Sequence, residues 1–182
     1  MLPPTSHAAA PRRSTFIVAA SITALLAGCS PTPTPTPTPT LTFTSEEEAF
    51  AAAEKTFEEY TDAANATDLS QPKSFDAVYS WLVGDALASA RKNFSQLHAA
   101  GLTRVGATSF DTVTSVKTPS DSVALRLCLD VSSVELINAD GSSAVPADRP
   151  PRQPIEVEFS PSHTSTSLAI SSFIPAESYQ CG

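Results

Sequence analysis

The chain has 182 residues, among them 16 prolines, six glycines and one tryptophan, and 11 Lys and Arg stand against 19 Asp and Glu for a formal charge of −8. The acidic balance argues against a sequence-independent nucleic-acid binder, which needs basic stripes to displace counterions. So few glycines and a single tryptophan also argue against collagen, a propeller or a glycine-rich phosphate binder.

The first element is a leader. Arg12 and Arg13 precede the short apolar run Phe16 to Ala27. A basic stretch before such a run is the pattern of a secretory signal peptide, and the run is too short for a spanning helix, which needs about 20 residues. It ends in Leu26-Ala27-Gly28-Cys29. This segment resembles the lipobox of bacterial lipoproteins: an aliphatic residue, two small residues, then the cysteine that is acylated and becomes the new N-terminus. The competing reading is an ordinary signal peptide with a chance cysteine. The arginine pair also fits twin-arginine export, but the pattern around it is thin and the general secretory route is the expectation. Losing residues 1–28 leaves nine basic against 19 acidic side chains, a charge of −10.

The resemblance implies lipidation at Cys29 and a location at the cell membrane, tethered on the extracytoplasmic face. Two or more acyl chains, at about 0.8 kcal/mol per buried methylene, anchor stably where one would not. The partner expected first is therefore the lipid bilayer. Residues 29–44 then form a linker. Alternating proline from Pro31 to Thr40 forbids helix and sheet and favours an extended polyproline rod, roughly 30 Å long at about 3.1 Å per residue. Threonine–proline tracts also suit O-glycosylation, against which stands a plain solvated spacer.

Residues 45–182 are long enough for one domain with a true core. Ser45 to Glu48 reads as a capping box, with three carboxylates suited to the positive end of a helix. Phe50, Ala53, Phe57, Tyr60 and Ala64 follow at three- and four-residue steps and predict a helix of about five turns. A metal site at Glu46–Glu48 is the weaker reading, because consecutive carboxylates in a first turn point different ways. After Pro72 a short helical piece carries Phe75, Val78 and Tyr79. Gly84-Asp85 opens a second long helix with Leu87, Ala90, Phe94 and Leu97 inward, ending at a left-handed Gly101. His98 sits near that end, where a protonated ring suits the helix dipole.

From Leu102 the period becomes two. Residues 102–106 and 109–117 are predicted strands, with a turn over 118–121. In the next strand Val123, Leu125, Leu127, Leu129 and Val131 face one way, and Ala124, Arg126, Cys128 and Asp130 the other. Val134 to Ile137 continues it or opens another, Asn138 to Gly141 is a turn, and a proline-rich loop runs through Pro154. Ile155, Val157 and Phe159 then alternate with Glu156 and Glu158, and Leu168, Ile170 and Ile174 mark a last strand. Helices first and antiparallel strands after them make an α+β layer arrangement.

This order, with the Gly84-Asp85-Ala86-Leu87 helix start, the Cys128-Leu129-Asp130 segment and Cys181 near the end, resembles small actinobacterial lipoproteins with a nuclear transport factor 2-like (cystatin-like, SnoaL-related) domain. The resemblance implies N-terminal helices packed on a curved antiparallel sheet, with a cone-shaped cavity between them. Leu168 stands where such proteins commonly have a tryptophan. The fold hosts enzymes and non-enzymes alike.

With Cys29 acylated, Cys128 and Cys181 remain as an even pair outside the reducing cytoplasm, so a disulfide pinning the C-terminal tail across the sheet is expected. The alternative, a redox or metal-binding pair, lacks a Cys-x-x-Cys spacing or a nearby histidine. No motif for nucleophilic catalysis, phosphate binding or zinc ligation appears, and His98 and His163 stand alone. No cofactor, metal or catalytic residue is assigned. Loose candidates for carboxylate chemistry are Asp130, Glu156 and Glu158, with Tyr60 and Tyr79. Their simpler reading is an exposed strand face with cross-strand ion pairs, and tyrosines packed with hydroxyls at the rim. The expectation is a non-catalytic domain that binds an envelope component, an apolar ligand or a protein. The alternative is an isomerase, dehydratase or hydrolase with a carboxylate base in the cone. A homodimer through the sheet is neither required nor excluded by the alternation.

Overall fold

The computed structural model describes residues 40, 43–116, 118 and 122–181. The expected leader, the expected lipobox with Cys29, the proline–threonine tract before Thr40 and the part of the expected turn at 119–121 lie outside the described residues.

Helix α1 spans Glu46–Asn65, and the Ser45 hydroxyl accepts from the Glu48 N–H at 3.1 Å as the capping pattern requires. The return half of the box differs. Glu48 reaches one residue further back and accepts from the N–H and hydroxyl of Thr44 at 2.8 and 2.7 Å. Those bonds hold the Glu48 carboxyl below its ordinary pKa. Ala53 and Phe57 of the predicted stripe are fully buried, and Phe50, Tyr60 and Ala64 flank them half-buried.

Pro72 opens a single 3₁₀ turn, Pro72–Ser74, that runs into the short helix α2, Phe75–Tyr79. Proline suits this position because the first turn has no use for its missing N–H. Helix α3, Gly84–Ala99, stops where the sequence places its end, with Gly101 at φ +66. His98 is held by a 2.7 Å bond between Nδ1 and the Leu69 carbonyl, a structural tie between α3 and the preceding loop.

Six strands follow. Strands β2 (Ser109–Val116), β3 (Val123–Asp130), β5 (Arg152–Pro161) and β6 (Leu168–Pro175) form one antiparallel sheet in the order β2-β3-β5-β6. Strands β1 (Thr103–Val105) and β4 (Glu135–Ile137) pair apart from it as a small ribbon. The main strand at 123–130 therefore does not continue through 134–137; residues 131–134 turn, closed by a Val134 N–H to Val131 carbonyl bond of 3.0 Å. Strand β5 is longer than its apolar alternation suggests. It takes in Pro154, whose residue pairs with Cys128, and whose carbonyl accepts from Ala176 rather than from a strand neighbour.

Two register shifts bend the sheet, one between Asp111 and Thr114 and one between Glu158 and Phe159. Such bulges add local twist and curvature. The first holds Thr112 at φ 54, a left-handed backbone that a β-branched residue seldom adopts. The free side of β6 is partly closed by residues 81–83: Ile170 N–H donates to the Trp81 carbonyl, and Val83 N–H to the Ile170 carbonyl, both at 2.9 Å.

The expected α+β layering holds. Helices α1 and α3 lie on one face of the sheet, and Phe57, Val78, Leu125, Leu127, Phe159 and Ile170 close the space between the layers. Leu168, at the place where the resemblance expects tryptophan, is itself fully buried. The implied cone is occupied by these side chains, and neither of the two clearest hollows among the described residues lies between the layers.

Candidate functional site

The carboxylates singled out in the sequence all project from the sheet face opposite the helices. Arg126 and Glu156 stand directly across from one another on β3 and β5, joined Nε to Oε2 at 2.8 Å. Glu158 accepts from the Ser172 hydroxyl on β6 at 2.6 Å. Asp130 accepts from the Ser132 N–H at 2.9 Å and lies 3.5 Å from Arg152. Its carboxyl is held below the usual range, first by the bonds from Ser132 and then by Arg152. Arg152 also grips Asp111, which is depressed chiefly by that contact. Each of Asp130, Glu156 and Glu158 thus has a partner, and the cross-strand ion pair expected from the polar alternation is present.

On the same face Cys128 and Cys181 form a disulfide, with Cα atoms 5.5 Å apart. That distance is ordinary for a bridge. Cys128 is fully buried although it belongs to the polar set of β3, because the segment after β6 crosses over it.

The tyrosines occupy the helix side. Tyr60, on the inward flank of α1, packs against Phe57 at 5.8 Å and Phe173 at 5.4 Å between ring centroids. Phe57 in turn meets Phe110 edge-on at 4.8 Å. Burial pushes the Tyr60 hydroxyl up to about 12, with the Arg104 guanidinium pulling weakly the other way. Arg104 is committed elsewhere: its two terminal nitrogens donate to the Ala64 carbonyl and to Asn65 Oδ1, both at 2.7 Å, and burial lowers its pKa. Asn65 is also tied to Thr108 through both its side-chain atoms. Tyr79 belongs to a separate cluster with Phe75 and Phe94, with Arg91 5.6 Å over its ring; its pKa is raised first by burial.

The candidate site is therefore the aromatic end of the layer interface, Tyr60 with Phe110 and Phe173, backed by Arg104. Phe173 is 37% exposed and gives this cluster a face to solvent. Chemically it offers apolar area and one protonated phenol. The three carboxylates singled out in the sequence, Asp130, Glu156 and Glu158, stand on the other side of the sheet from it. Phe110, Phe173 and Arg104 were not singled out from sequence. The alternation of Phe110 between Ser109 and Asp111 carries a signal for it; Phe173 follows the second bulge, where period two breaks.

Of two further hollows, one lies apart from this cluster and the other reaches Arg104 behind it. One of about 350 Å³ is lined by Ser132, Glu135, Ser143, Pro146, Arg149 and Pro151. Arg149 there spends one terminal nitrogen on the Val131 and Val134 carbonyls, at 2.8 Å each. The other, of about 340 Å³, runs beside Asp68, Leu69, Leu102 and Arg104. Among the described residues no group of three or more His, Cys, Asp or Glu is placed to hold a metal ion, and no helix is long and apolar enough to cross a membrane.

No protein-family model and no curated protein matches the chain. Solved structures similar in layout include a putative aromatic ring hydroxylase from Novosphingobium aromaticivorans, at 13% identity and TM-score 0.48 over 71% of this chain and 88% of that one. Aln2 from a Streptomyces species is similar at 14% identity and TM-score 0.43, over 73% and 92%. The Kfla4162 protein from Kribbella flavida is similar at 17% and 0.42, over 75% and 95%. At these scores the likeness adds nothing to the site, which rests on its own residues.

Proposed function

We propose that this chain is a lipid-anchored domain at the extracytoplasmic face of a cell membrane that binds an envelope component, an apolar ligand or a protein partner without transforming it. One observation carries the non-catalytic half of this reading. Asp130, Glu156 and Glu158 lie on one face of the sheet, each with a hydrogen-bond or ionic partner, while Tyr60 and Tyr79 lie with the helices on the other. A carboxylate acting as base in the cone must lie within hydrogen-bond reach of the proton it takes from a substrate held beside the tyrosines. Here a layer of packed side chains stands between them. The isomerase or dehydratase alternative has no such observation in its favour.

The anchor rests on Leu26-Ala27-Gly28-Cys29, and the disulfide supports it, since it accounts for the other two of the three cysteines in the sequence. A persistent disulfide also suits an oxidising compartment. Cys29→Ala should leave the precursor unacylated and move the chain from the detergent phase to the aqueous phase in a phase-separation assay. Partitioning unchanged by that substitution would remove the anchor. Native mass spectrometry of the wild-type chain purified from membranes, searched for a co-purified apolar molecule, tests the binding half.

A further inference from the structure

The segment 176–181 leaves the end of β6 and crosses the outer face of the sheet toward β2. Its attachments are few. Ala176 N–H donates to the Pro154 carbonyl at 3.0 Å, and Arg152 Nε donates to the Cys181 carbonyl at 2.9 Å. The Tyr179 hydroxyl donates to the Thr112 carbonyl and accepts from Thr114 Oγ1 at 3.3 Å. Glu177, Ser178 and Gln180 are exposed. The one covalent link is the disulfide, and it lies on the face away from the core: neither Cys128, Cys181 nor Ala176 belongs to the cluster built on Phe57, Leu125 and Ile170.

We propose that the Cys128–Cys181 bond is a clasp that a dithiol reductant opens at Cys181, freeing segment 176–181 while the helix-covered core stays folded. The two cysteines are not equally exposed. Cys128 has no exposed surface, whereas Cys181 is part-exposed, so an external thiolate reaches the bond from the Cys181 side. Exchange proceeds by attack of a thiolate on one sulfur with departure of the other. The incoming thiolate bonds to Cys181 Sγ, the S–S bond breaks, and Cys128 leaves as a thiolate that takes a proton from water. The second thiol of the dithiol, deprotonated, then attacks its own sulfur in the mixed disulfide and expels Cys181, which is protonated in turn. Two electrons pass to the protein pair, and the dithiol ends as a disulfide.

Opening the clasp has a local consequence. Tyr179 supports the carbonyl of Thr112, the residue held at φ 54 in the bulge of β2. The released segment takes that support away, so the bulge and the Cys128 surface become accessible together. The lipid anchor plays no part in this, and Cys29 needs no change for it.

The test uses the full purified chain in detergent. Glutathione, a monothiol, is added to the native protein, and the mixed disulfide is located by peptide mapping. The adduct should fall on Cys181 at least about tenfold more often than on Cys128. After dithiothreitol, hydrogen exchange at Ala176 and Tyr179 should quicken by about tenfold or more, while α1 and β5 change by less than about twofold. Cys181→Ser should reproduce the released pattern without reductant. Adducts shared evenly or sited on Cys128 would overturn the proposal. So would reduction that occurs only in urea strong enough to unfold α1, or a segment that keeps its protection once both thiols are free.

Discussion

The two faces of the main sheet are made by the same strands and behave as different materials. On the helix side Leu125, Leu127, Val157, Phe159 and Ile170 are buried without a polar atom among their side chains. On the other side the same strands carry Arg126 against Glu156, Glu158 against Ser172, and Arg152 between Asp111 and Asp130. Fully burying one large apolar side chain is worth roughly 1.5–3 kcal/mol. An exposed ion pair is worth about 0–1 kcal/mol. The inner face therefore decides whether the domain folds. The outer face decides what the surroundings can alter, because its contacts answer to salt and to reducing power.

The largest effect expected from this contrast is on the inner face. Phe57 is fully buried and touches both Tyr60 and Phe110, so Phe57→Ala should cost about 3–5 kcal/mol in a urea unfolding curve. A cost below about 1 kcal/mol would mean that the helix–sheet interface does not carry the fold. The disulfide contributes differently. In the chain-entropy model a link across 53 residues is worth about 4 kcal/mol, acting through the unfolded chain. Domains of this kind are typically stable by about 5–15 kcal/mol, so either loss alone is of a size the fold can absorb, and the two differ in where they act: one on native packing, the other on the unfolded chain.

The next effect is a titration. Tyr60 ionises in the folded chain at about 12, above the ordinary value of 10, because burial disfavours the phenolate. The folded state thus holds the proton more tightly than the unfolded one. That contribution to stability is fully present below pH 10 and is lost as pH rises from there through 12. Ultraviolet difference titration of wild type against Tyr60→Phe isolates this group. A phenol titrating at its ordinary value would place Tyr60 in water and dissolve the aromatic site.

The same contrast explains what was legible in the sequence. Period and apolarity reveal burial, so α1, α3 and β3 stand close to where Phe57, Leu87 and Leu125 put them; alternation also leads to a cross-strand ion pair for Arg126, while the strand register decides that its partner is Glu156. Cysteine count, with the export expected from the N-terminal pattern, leads to the Cys128–Cys181 bridge. What was not legible depends on contacts between distant segments. Glu48 turning to Thr44 is a choice between near neighbours that the capping pattern does not resolve. The separate β1–β4 ribbon joins segments far apart in the chain, and its strands are too short to show a period. The bulge at Thr112 breaks the period without a glycine to mark it, and β5 extends through Pro154, a residue that reads as loop. The aromatic site joins α1, β2 and β6, and nothing local in any of them announces the other two.

The smallest expected effect is the most discriminating for the outer face. Arg126 meets Glu156 through one nitrogen and one oxygen, with side chains 44% and 20% exposed. Water competes for both groups, and holding two long side chains in one geometry costs entropy, so Arg126→Ala should destabilise by no more than about 1 kcal/mol. The loss should shrink as salt rises, since at about 1 M the screening length falls to roughly 3 Å. Urea curves at low and high salt measure both quantities. A loss above about 2 kcal/mol that survives high salt would show that Glu156 is effectively buried and depends on its partner, as a desolvated carboxylate does. The face across which segment 176–181 lies would then be part of what holds the domain together, and opening the clasp beside it could not leave the core untouched.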